Sequence, residues 1–193
     1  MNKNFEYELP AGYEPAKVID VTDKKTAIIL NAAALAITVV IIAAAWLIIK
    51  PLDALFSFET VGKTAIMLVV LLAYIVLHEL AHGAAYKLLT GEKLKFGLTM
   101  GAAYCGMPHI YVYRRASLIA LLTPFVLFSL VFGVPMLFAA DKVDAFLLAF
   151  LLANHIGGCS GDLYDTYLLL LKHKDKLTLV HDNGPTQVFY EKR

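Results

Sequence analysis

Four long apolar stretches dominate the pattern of hydrophobic and polar positions along the chain. They cover residues 26–49, 64–89, 116–140 and 145–171, and their apolar side chains follow one another without the alternation of a half-buried helix or strand. A helix of about 20 mostly apolar residues crosses the hydrocarbon core of a bilayer. The pattern therefore predicts an all-α membrane protein with about four transmembrane helices.

Three glycines interrupt the fourth stretch: Gly157, Gly158 and Gly161. Closely spaced glycines break or bend a helix, and irregular backbone at membrane depth is tolerated where it lines a water-filled cavity. We therefore expect a kink or an unwound turn here, which would also admit water to the interior of the protein.

Short strand-like segments lie outside the apolar stretches. Residues 93–99 and 109–113 mix aromatic and β-branched residues with others between glycines, which is typical of a β-hairpin or an edge strand. In the C-terminal tail, residues 177–180 and 187–190 flank the turn-rich run 181–185. We expect a short cytoplasmic β-hairpin or strand elaboration of the helical fold.

The composition agrees with a membrane protein. Of the 193 residues, 59% are hydrophobic and only 17% are charged, whereas soluble domains carry about 25% charged residues. A net charge of +1 leaves no concentrated basic surface for phosphate backbones, so nucleic acid is not an expected partner. The two cysteines, Cys105 and Cys159, build neither a disulfide framework nor a cysteine zinc site.

The distribution of Lys and Arg predicts the orientation. These residues cluster near both termini and between the second and third stretches, whereas the opposite flanks carry only Lys50, Lys63 and Lys142. Because cytoplasmic flanks are enriched in Lys and Arg, we expect a multi-pass protein of the cell membrane with both termini cytoplasmic. The N-terminal segment lacks the layout of a signal peptide and should remain attached. The expected divisions are a cytoplasmic segment (1–25), a membrane domain (26–172) and a cytoplasmic tail (173–193).

The second apolar stretch contains an H-E-x-x-H pattern, formed by His78, Glu79 and His82. Positions i and i+4 of a helix share one face, so both imidazoles can bind one metal ion. Zinc accepts neutral imidazoles and keeps a position for water, and Glu79 stands where its carboxylate can take a proton from that water. The pattern also occurs by chance on solvated helices. In a spanning helix, however, a charged residue costs at least about 2.5 kcal/mol, which favours a functional site.

The fourth stretch supplies candidates for a third ligand, which a catalytic zinc commonly has. Counted at 1.5 Å per residue from the cytoplasmic ends of their stretches, His78 and His82 lie roughly 16 and 10 Å deep, and Asp162 and Asp165 lie roughly 15 and 10 Å deep. Both acids are candidate ligands, and Asp165 is also a candidate for orienting a histidine. His155 lies deeper and would reach the metal only if the glycine-rich turn folded back.

The H-E-x-x-H segment and the later segment from Asn154 to Asp162 resemble the two motifs of the site-2 protease superfamily of intramembrane zinc metalloproteases. In the second motif of that superfamily an Asn precedes the ligand Asp by the same spacing. Within the superfamily, the small size and the four-span layout are most similar to the bacterial membrane family called putative zincin peptidases.

This resemblance implies a role for each matching residue. His78, His82 and Asp162 would be the zinc ligands, so Asp162 is favoured over Asp165. Glu79 would be the catalytic base, and the amide of Asn154 would contact the substrate or the transition state. The chain departs from the superfamily's second motif at three positions, where Pro, Leu and Gly are replaced by Gly157, Gly161 and Leu163 respectively.

The expected function is hydrolysis of peptide bonds in membrane-embedded or membrane-adjacent proteins by a zinc-activated water. Expected partners are the lipid bilayer and a membrane protein or peptide substrate, and a homo-oligomer is compatible with the sequence. Two other functions stay open. A non-catalytic zinc-binding scaffold or inhibitor of a partner protein would use the same ligands, and a metal carrier would need ligands deeper in the bilayer, of which the chain offers His155. The spacing does not separate zinc from iron, cobalt or manganese.

Overall fold

The computed structural model describes residues 3–51, 58–99 and 103–193. Residues 100–102, which belong to the predicted loop between the second and third stretches, lie outside this description. Contacts within the chain separate two compact units. The unit that we call the sheet unit contains Met1–Leu30, His78–Pro124 and Gly161–Arg193. The second, called the helical unit, contains Asn31–Leu77 and Phe125–Ser160.

Five helices carry the apolar stretches. They are α1 (Lys24–Ile49), α2 (Phe58–Thr90), α3 (Arg114–Leu137), α4 (Lys142–Gly158) and α5 (Ser160–Tyr167), which continues into a π-helical turn (Leu168–Lys172). The first three helices are long and apolar enough to cross a membrane, and α4 with α5 makes a fourth candidate if the pair is one broken span. The prediction of about four apolar helices is confirmed.

The predicted interruption of the fourth stretch is present but is confined to Cys159, between α4 and α5. Gly157 and Gly158 remain helical in α4, and Gly161 is helical in α5. Gly157 has a packing role within the helical unit, because a Cβ at this position would overlap Thr38 Oγ1 and lie 2.6 Å from the Ala34 carbonyl oxygen. The missing side chain therefore allows α1 and α4 to approach closely.

An antiparallel sheet of five strands is built from three distant parts of the chain. The strand order is β1-β5-β6-β7-β2. The strands are β1 (Phe5–Glu6), β2 (Tyr13–Asp20), β5 (Tyr111–Tyr113), β6 (Leu179–Asp182) and β7 (Thr186–Lys192). Val112 pairs with both Phe5 and Val180, so β5 joins the N-terminal strand to the C-terminal hairpin. Two further strands, β3 (Lys95–Leu98) and β4 (Ala103–Gly106), form a separate hairpin.

The β structure is therefore larger than the predicted short elaboration. The strands expected in the loop and in the tail are present, whereas β1 and β2 in the N-terminal segment were not predicted. Strand β2 carries Pro15 and Lys17 and is largely exposed, so its sequence lacks the apolar alternation of a half-buried strand. It forms an edge of the sheet, with a register shift between Pro15 and Lys17, and an edge is where a strand tolerates proline.

The core of the sheet unit joins the sheet to the C-terminal part of α2 and the N-terminal part of α3. Met107, Ile110 and Val112 pack with Ala116 and Ala120 of α3 and with Tyr86 of α2. A second cluster joins Val180 and Phe189 of the sheet to Leu169 of the π-helical turn. These contacts fix α2, α3 and α5 relative to one another in the part of the chain that carries the polar residues described next.

Candidate metal centre

Two helices of the sheet unit bring His78, His82 and Asp162 together. The histidines lie one turn apart on α2, and Asp162 lies in the first turn of α5. His78 Nε2 is 3.2 Å from Asp162 Oδ2 and 3.2 Å from His82 Nε2. His82 Nε2 is 3.3 Å from Asp162 Oδ1. One nitrogen from each ring and the carboxylate thus converge on one point.

The donor set fits zinc in both chemistry and spacing. Zinc prefers imidazole nitrogen and carboxylate oxygen at bond lengths of about 2.0 to 2.2 Å, and in a tetrahedron of that size neighbouring ligand atoms lie about 3.3 Å apart. The three separations in the cluster are 3.2, 3.2 and 3.3 Å. Both histidines are only 7% exposed, so the nitrogens are shielded from solvent that would otherwise solvate them. A tetrahedral ion held by these three residues would keep one position for water or substrate.

The hydrogen bond of the second ring nitrogen of His82 determines which nitrogen can bind a metal. Its Nδ1 lies 2.9 Å from the backbone carbonyl oxygen of Ala120 in α3. A carbonyl oxygen only accepts hydrogen bonds, so Nδ1 must carry the proton and donate. In the neutral ring this leaves the lone pair on Nε2, the atom that points to the cluster. The ring is therefore already in the tautomer that a metal needs.

Glu79 is placed beside the cluster and not within it. It follows His78 directly and precedes His82 by three positions on α2, so it lies near the face that carries the histidines. Its side chain is partly exposed, unlike those of the two histidines. A carboxylate in this position is adjacent to the candidate ligands and is not enclosed by the protein.

The two acids of α5 have different surroundings. Asp162 is the acid that joins the histidine cluster. Asp165 is only 5% exposed, and its Oδ1 has no hydrogen-bond partner among the described residues. At His82 the Ala120 carbonyl oxygen accepts from Nδ1, and the orienting role predicted for Asp165 stays a prediction.

Asn154 and His155 belong to the helical unit. The side-chain amide of Asn154 donates to the Phe150 carbonyl oxygen at 2.8 Å, one turn earlier on α4. His155 is fully buried, and the Tyr74 hydroxyl donates to its Nδ1 at 2.8 Å while its Nε2 lies 3.0 Å from the Phe125 carbonyl oxygen. The roles predicted for Asn154 and for a folded-back His155 stay predictions.

A buried acid of the sheet was not singled out in the sequence. Asp182 in β6 is 3% exposed, and its Oδ1 accepts a hydrogen bond from the Gly184 N–H at 2.8 Å. The Tyr86 hydroxyl of α2 lies 3.5 Å from its Oδ2. Burial raises the pKa of Asp182 from an ordinary value near 3.8 to about 7, although the hydrogen bond from Gly184 acts to lower it. The sequence did not point to Asp182 because this residue lies within the run 181–185, whose composition is typical of a turn.

A family model described as "Putative zincin peptidase" matches residues 71–177, which is more than half of the chain. The chain belongs to this family. Membership indicates a zinc metallopeptidase, and all of the cluster residues, as well as Glu79, Asn154 and Asp165, lie inside the matched region. No curated protein and no solved structure matches the chain significantly. Two imidazoles and one carboxylate are a donor set that suits the catalytic zinc of a zincin peptidase.

Proposed function

We propose that this zincin peptidase works within the membrane, where it hydrolyses peptide bonds of membrane-embedded or membrane-adjacent proteins, as the resemblance to site-2 proteases implies. The observation that carries the proposal is the convergence of His78 Nε2, His82 Nε2 and Asp162 on one point at separations of 3.2 to 3.3 Å. His78 and His82 lie on α2, one of the helices that is long and apolar enough to cross a bilayer.

The exposed surface of the helices supports a membrane location. Helix α1 contains no buried residue, and large apolar side chains such as Leu47 and Ile48 are 71% and 80% exposed. A soluble monomer rarely exposes apolar area of this extent. In a bilayer, by contrast, lipid tails cover such a surface.

Each residue of the site has a distinct part in the proposed hydrolysis. His78, His82 and Asp162 would hold the zinc, which when bound polarises the scissile carbonyl and makes water a stronger acid. Glu79 accepts a proton from the attacking water on a carboxylate oxygen and delivers it to the leaving nitrogen. His82 keeps its proton on Nδ1 throughout, because its Nδ1–H donates a hydrogen bond to the Ala120 carbonyl oxygen.

The β3–β4 hairpin supports a binding place for an extended substrate beside the site. Phe96 of β3 lies against the helical turn that follows His82, since a Cβ on Gly83 would be 2.7 Å from Phe96 Cζ. Among the described residues β3 pairs with β4 alone, and its Leu98 is 80% exposed. A peptide in extended conformation can add to such an edge through main-chain hydrogen bonds. The predicted contact of Asn154 with the substrate belongs to the same proposal.

The test uses the purified protein in detergent, loaded with zinc, and two peptide libraries, one with transmembrane sequences and one with soluble sequences. Cleaved bonds are identified by mass spectrometry, and bound zinc is measured in the same samples. We expect cleavage by the wild-type protein, and a loss of at least about 100-fold in Glu79→Gln, the size of a general-base contribution. Zinc content should be unchanged in Glu79→Gln. Cleavage by Glu79→Gln at the wild-type rate would refute the role of Glu79.

The non-catalytic alternative makes a different prediction for the same samples. A zinc-binding scaffold or inhibitor would hold zinc in both proteins and cleave no peptide in either. A reaction confined to soluble peptides, with none in apolar sequences, would contradict the intramembrane part of the proposal and leave the peptidase assignment intact.

A further inference from the structure

Helix α3 contains a proline in its interior, Pro124. In a regular helix the carbonyl oxygen of Ala120 would accept a hydrogen bond from the backbone N–H four residues later. Proline has no N–H, and its ring also pushes the carbonyl four residues earlier away from the helix axis. The Ala120 carbonyl oxygen is thus left without its usual donor in the middle of a helix.

This carbonyl is also shielded from water. Ala120 is 0% exposed, and Pro124 is fully buried. Buried carbonyl groups are paired in nearly all proteins, and in a bilayer there is no solvent to pair them. The donor for Ala120 comes from another helix: His82 Nδ1 lies 2.9 Å from its oxygen.

We infer that Pro124 is a positioning residue for the metal centre, because it frees the Ala120 carbonyl oxygen to hold His82 with its Nε2 lone pair directed at His78 and Asp162. The inference deepens the proposed function, since it rests on His82 being a ligand. Partners of this kind fix the tautomer and the ring orientation of metal-binding histidines, and their loss typically lowers metal affinity about 10- to 100-fold.

The same helix provides a matched control. Pro135 also lies within α3, and it removes the N–H that would bond the carbonyl of Val131. Val131 is 47% exposed and Pro135 is exposed as well. Pro135→Ala therefore makes the same chemical change in the same helix, away from the histidine.

The experiment compares Pro124→Ala, Pro135→Ala and wild type as full-length proteins in detergent. Zinc affinity is measured by competition with a chromophoric chelator. The tautomer of His82 in zinc-free protein is read from ¹⁵N chemical shifts after histidine labelling, with His82→Gln to assign the signals. Thermal unfolding of the zinc-free proteins reports on stability.

We expect Pro124→Ala to restore a backbone N–H that competes for the Ala120 carbonyl. Zinc affinity should fall at least about 10-fold, and the ¹⁵N shifts should report a loss of the form protonated at Nδ1. The unfolding temperature of the zinc-free protein should stay the same or rise, because proline is the least favourable residue in a helix interior. Pro135→Ala should leave both zinc affinity and the His82 tautomer unchanged.

Two results would overturn the inference. One is an unchanged His82 tautomer in Pro124→Ala. The other is a parallel fall of zinc affinity and unfolding temperature, which would make Pro124 a purely structural residue. A wild-type protein without zinc affinity would instead refute the proposed function, while the tautomer measurement on zinc-free protein would still show whether Pro124 sets the tautomer of His82.

Discussion

Asp162 and Asp165 lie less than one helical turn apart on α5, and their different surroundings define the metal centre. The carboxylate of Asp162 is within 3.2 to 3.3 Å of both histidine Nε2 atoms. Asp165 is buried outside that group, with one oxygen unpartnered among the described residues. A ligand must reach the ion, and of these two acids Asp162 is the one whose carboxylate lies beside both imidazoles.

The first prediction separates these two acids by metal binding. Asp162→Ala removes one of three ligands and should lower zinc affinity by more than about 100-fold, beyond the effect of losing an outer partner. Asp165→Asn keeps the size of the side chain and should retain zinc with wild-type affinity. Metal content and chelator competition on both purified variants measure this. Loss of zinc from Asp165→Asn alone would transfer the ligand role to Asp165.

The second prediction concerns Asp182, whose pKa is raised to about 7 by burial. The folded protein binds this proton more tightly than the unfolded chain, so the contribution to stability is full below about pH 4 and is lost as the pH rises to about 7. Each pKa unit corresponds to about 1.4 kcal/mol, so the loss is a few kcal/mol. Asp182→Asn mimics the protonated form and should abolish this pH-dependent loss of stability.

This prediction is measured as the difference in unfolding temperature between Asp182→Asn and wild type, both free of zinc, at several pH values. The difference should be small at pH 4 and should grow in favour of the variant up to about pH 7. A difference that is constant over this range would show that Asp182 does not titrate there.

At the residue scale, the sequence was sufficient to predict those site residues that have a characteristic spacing. His78, Glu79 and His82 stand out because i and i+4 share a helix face. The spacing of the two acids left the third ligand open, since both reach the same depth by a count of residues. The partner of His82 is a backbone carbonyl, and every residue has one, so no side-chain pattern marks Ala120.

At the scale of elements, the close approach of α1 and α4 depends on one glycine. The helix α4 passes Thr38 and Ala34 at Gly157, where a Cβ has no room, and Thr38 Oγ1 donates to the Ala153 carbonyl oxygen at 3.2 Å. At the next residue, Gly158, the nearest neighbour of a Cβ would be the Tyr74 hydroxyl at 4.0 Å. The packing therefore excludes a Cβ at Gly157 and has room for one at Gly158.

The third prediction compares these glycines. Gly157→Ala forces a methyl group against the backbone of α1 and should lower the free energy of unfolding by about 1 to 3 kcal/mol, the usual cost of overpacking. In Gly158→Ala the added methyl group comes no closer than 4.0 Å to the Tyr74 hydroxyl. This variant should be neutral or slightly stabilising, because alanine favours a helix. Thermal unfolding in detergent measures both variants. Equal stabilities of the two would contradict the role of Gly157 in helix packing.

The elements differ in how well the sequence specifies them. Helices α1, α2 and α3 are predicted well because their continuous apolar runs are longer than a strand or a half-buried helix would have. Strands β1 and β2 could not be predicted, since β1 has two residues and β2 is polar and contains Pro15. Such strands form because partner strands at distant positions in the chain hydrogen-bond to their backbone N–H and C=O groups. The local sequence contains no sign of these partners.

At the scale of the whole molecule, the five-stranded sheet constrains how the chain can cross a bilayer. It pairs Phe5 of the N-terminal segment with Val112 of the α2–α3 connection, and Val112 with Val180 of the C-terminal tail. Segments that pair in one sheet must lie on one side of a membrane. This agrees with the Lys and Arg distribution, which independently predicts one side of the membrane, the cytoplasmic one, for the same three segments.

The helical unit gives a second constraint. Lys63 near the start of α2 forms ion pairs with Asp141 Oδ2 at 3.0 Å and with Asp144 Oδ1 at 2.8 Å, at the start of α4. The beginning of α2 and the connection between α3 and α4 therefore lie side by side. The Lys and Arg distribution predicts that Lys63 and Lys142 share the flank opposite the termini, and this contact is compatible with that prediction.

The fourth prediction tests the resulting topology in intact cells with a membrane-impermeant maleimide. Glu8→Cys, Lys176→Cys and Lys142→Cys each place one thiol at an exposed position, and the wild-type chain is the control because Cys105 and Cys159 are buried. We expect Lys142→Cys to react from outside, and Glu8→Cys and Lys176→Cys to react only after permeabilisation, because the basic flanks stay in the cytoplasm. Opposite behaviour of Glu8→Cys and Lys176→Cys would be incompatible with strands β2 and β7 pairing in one sheet. Labelling of all three only after permeabilisation would contradict insertion of the helices into the membrane, and would require another cover for their exposed apolar surface.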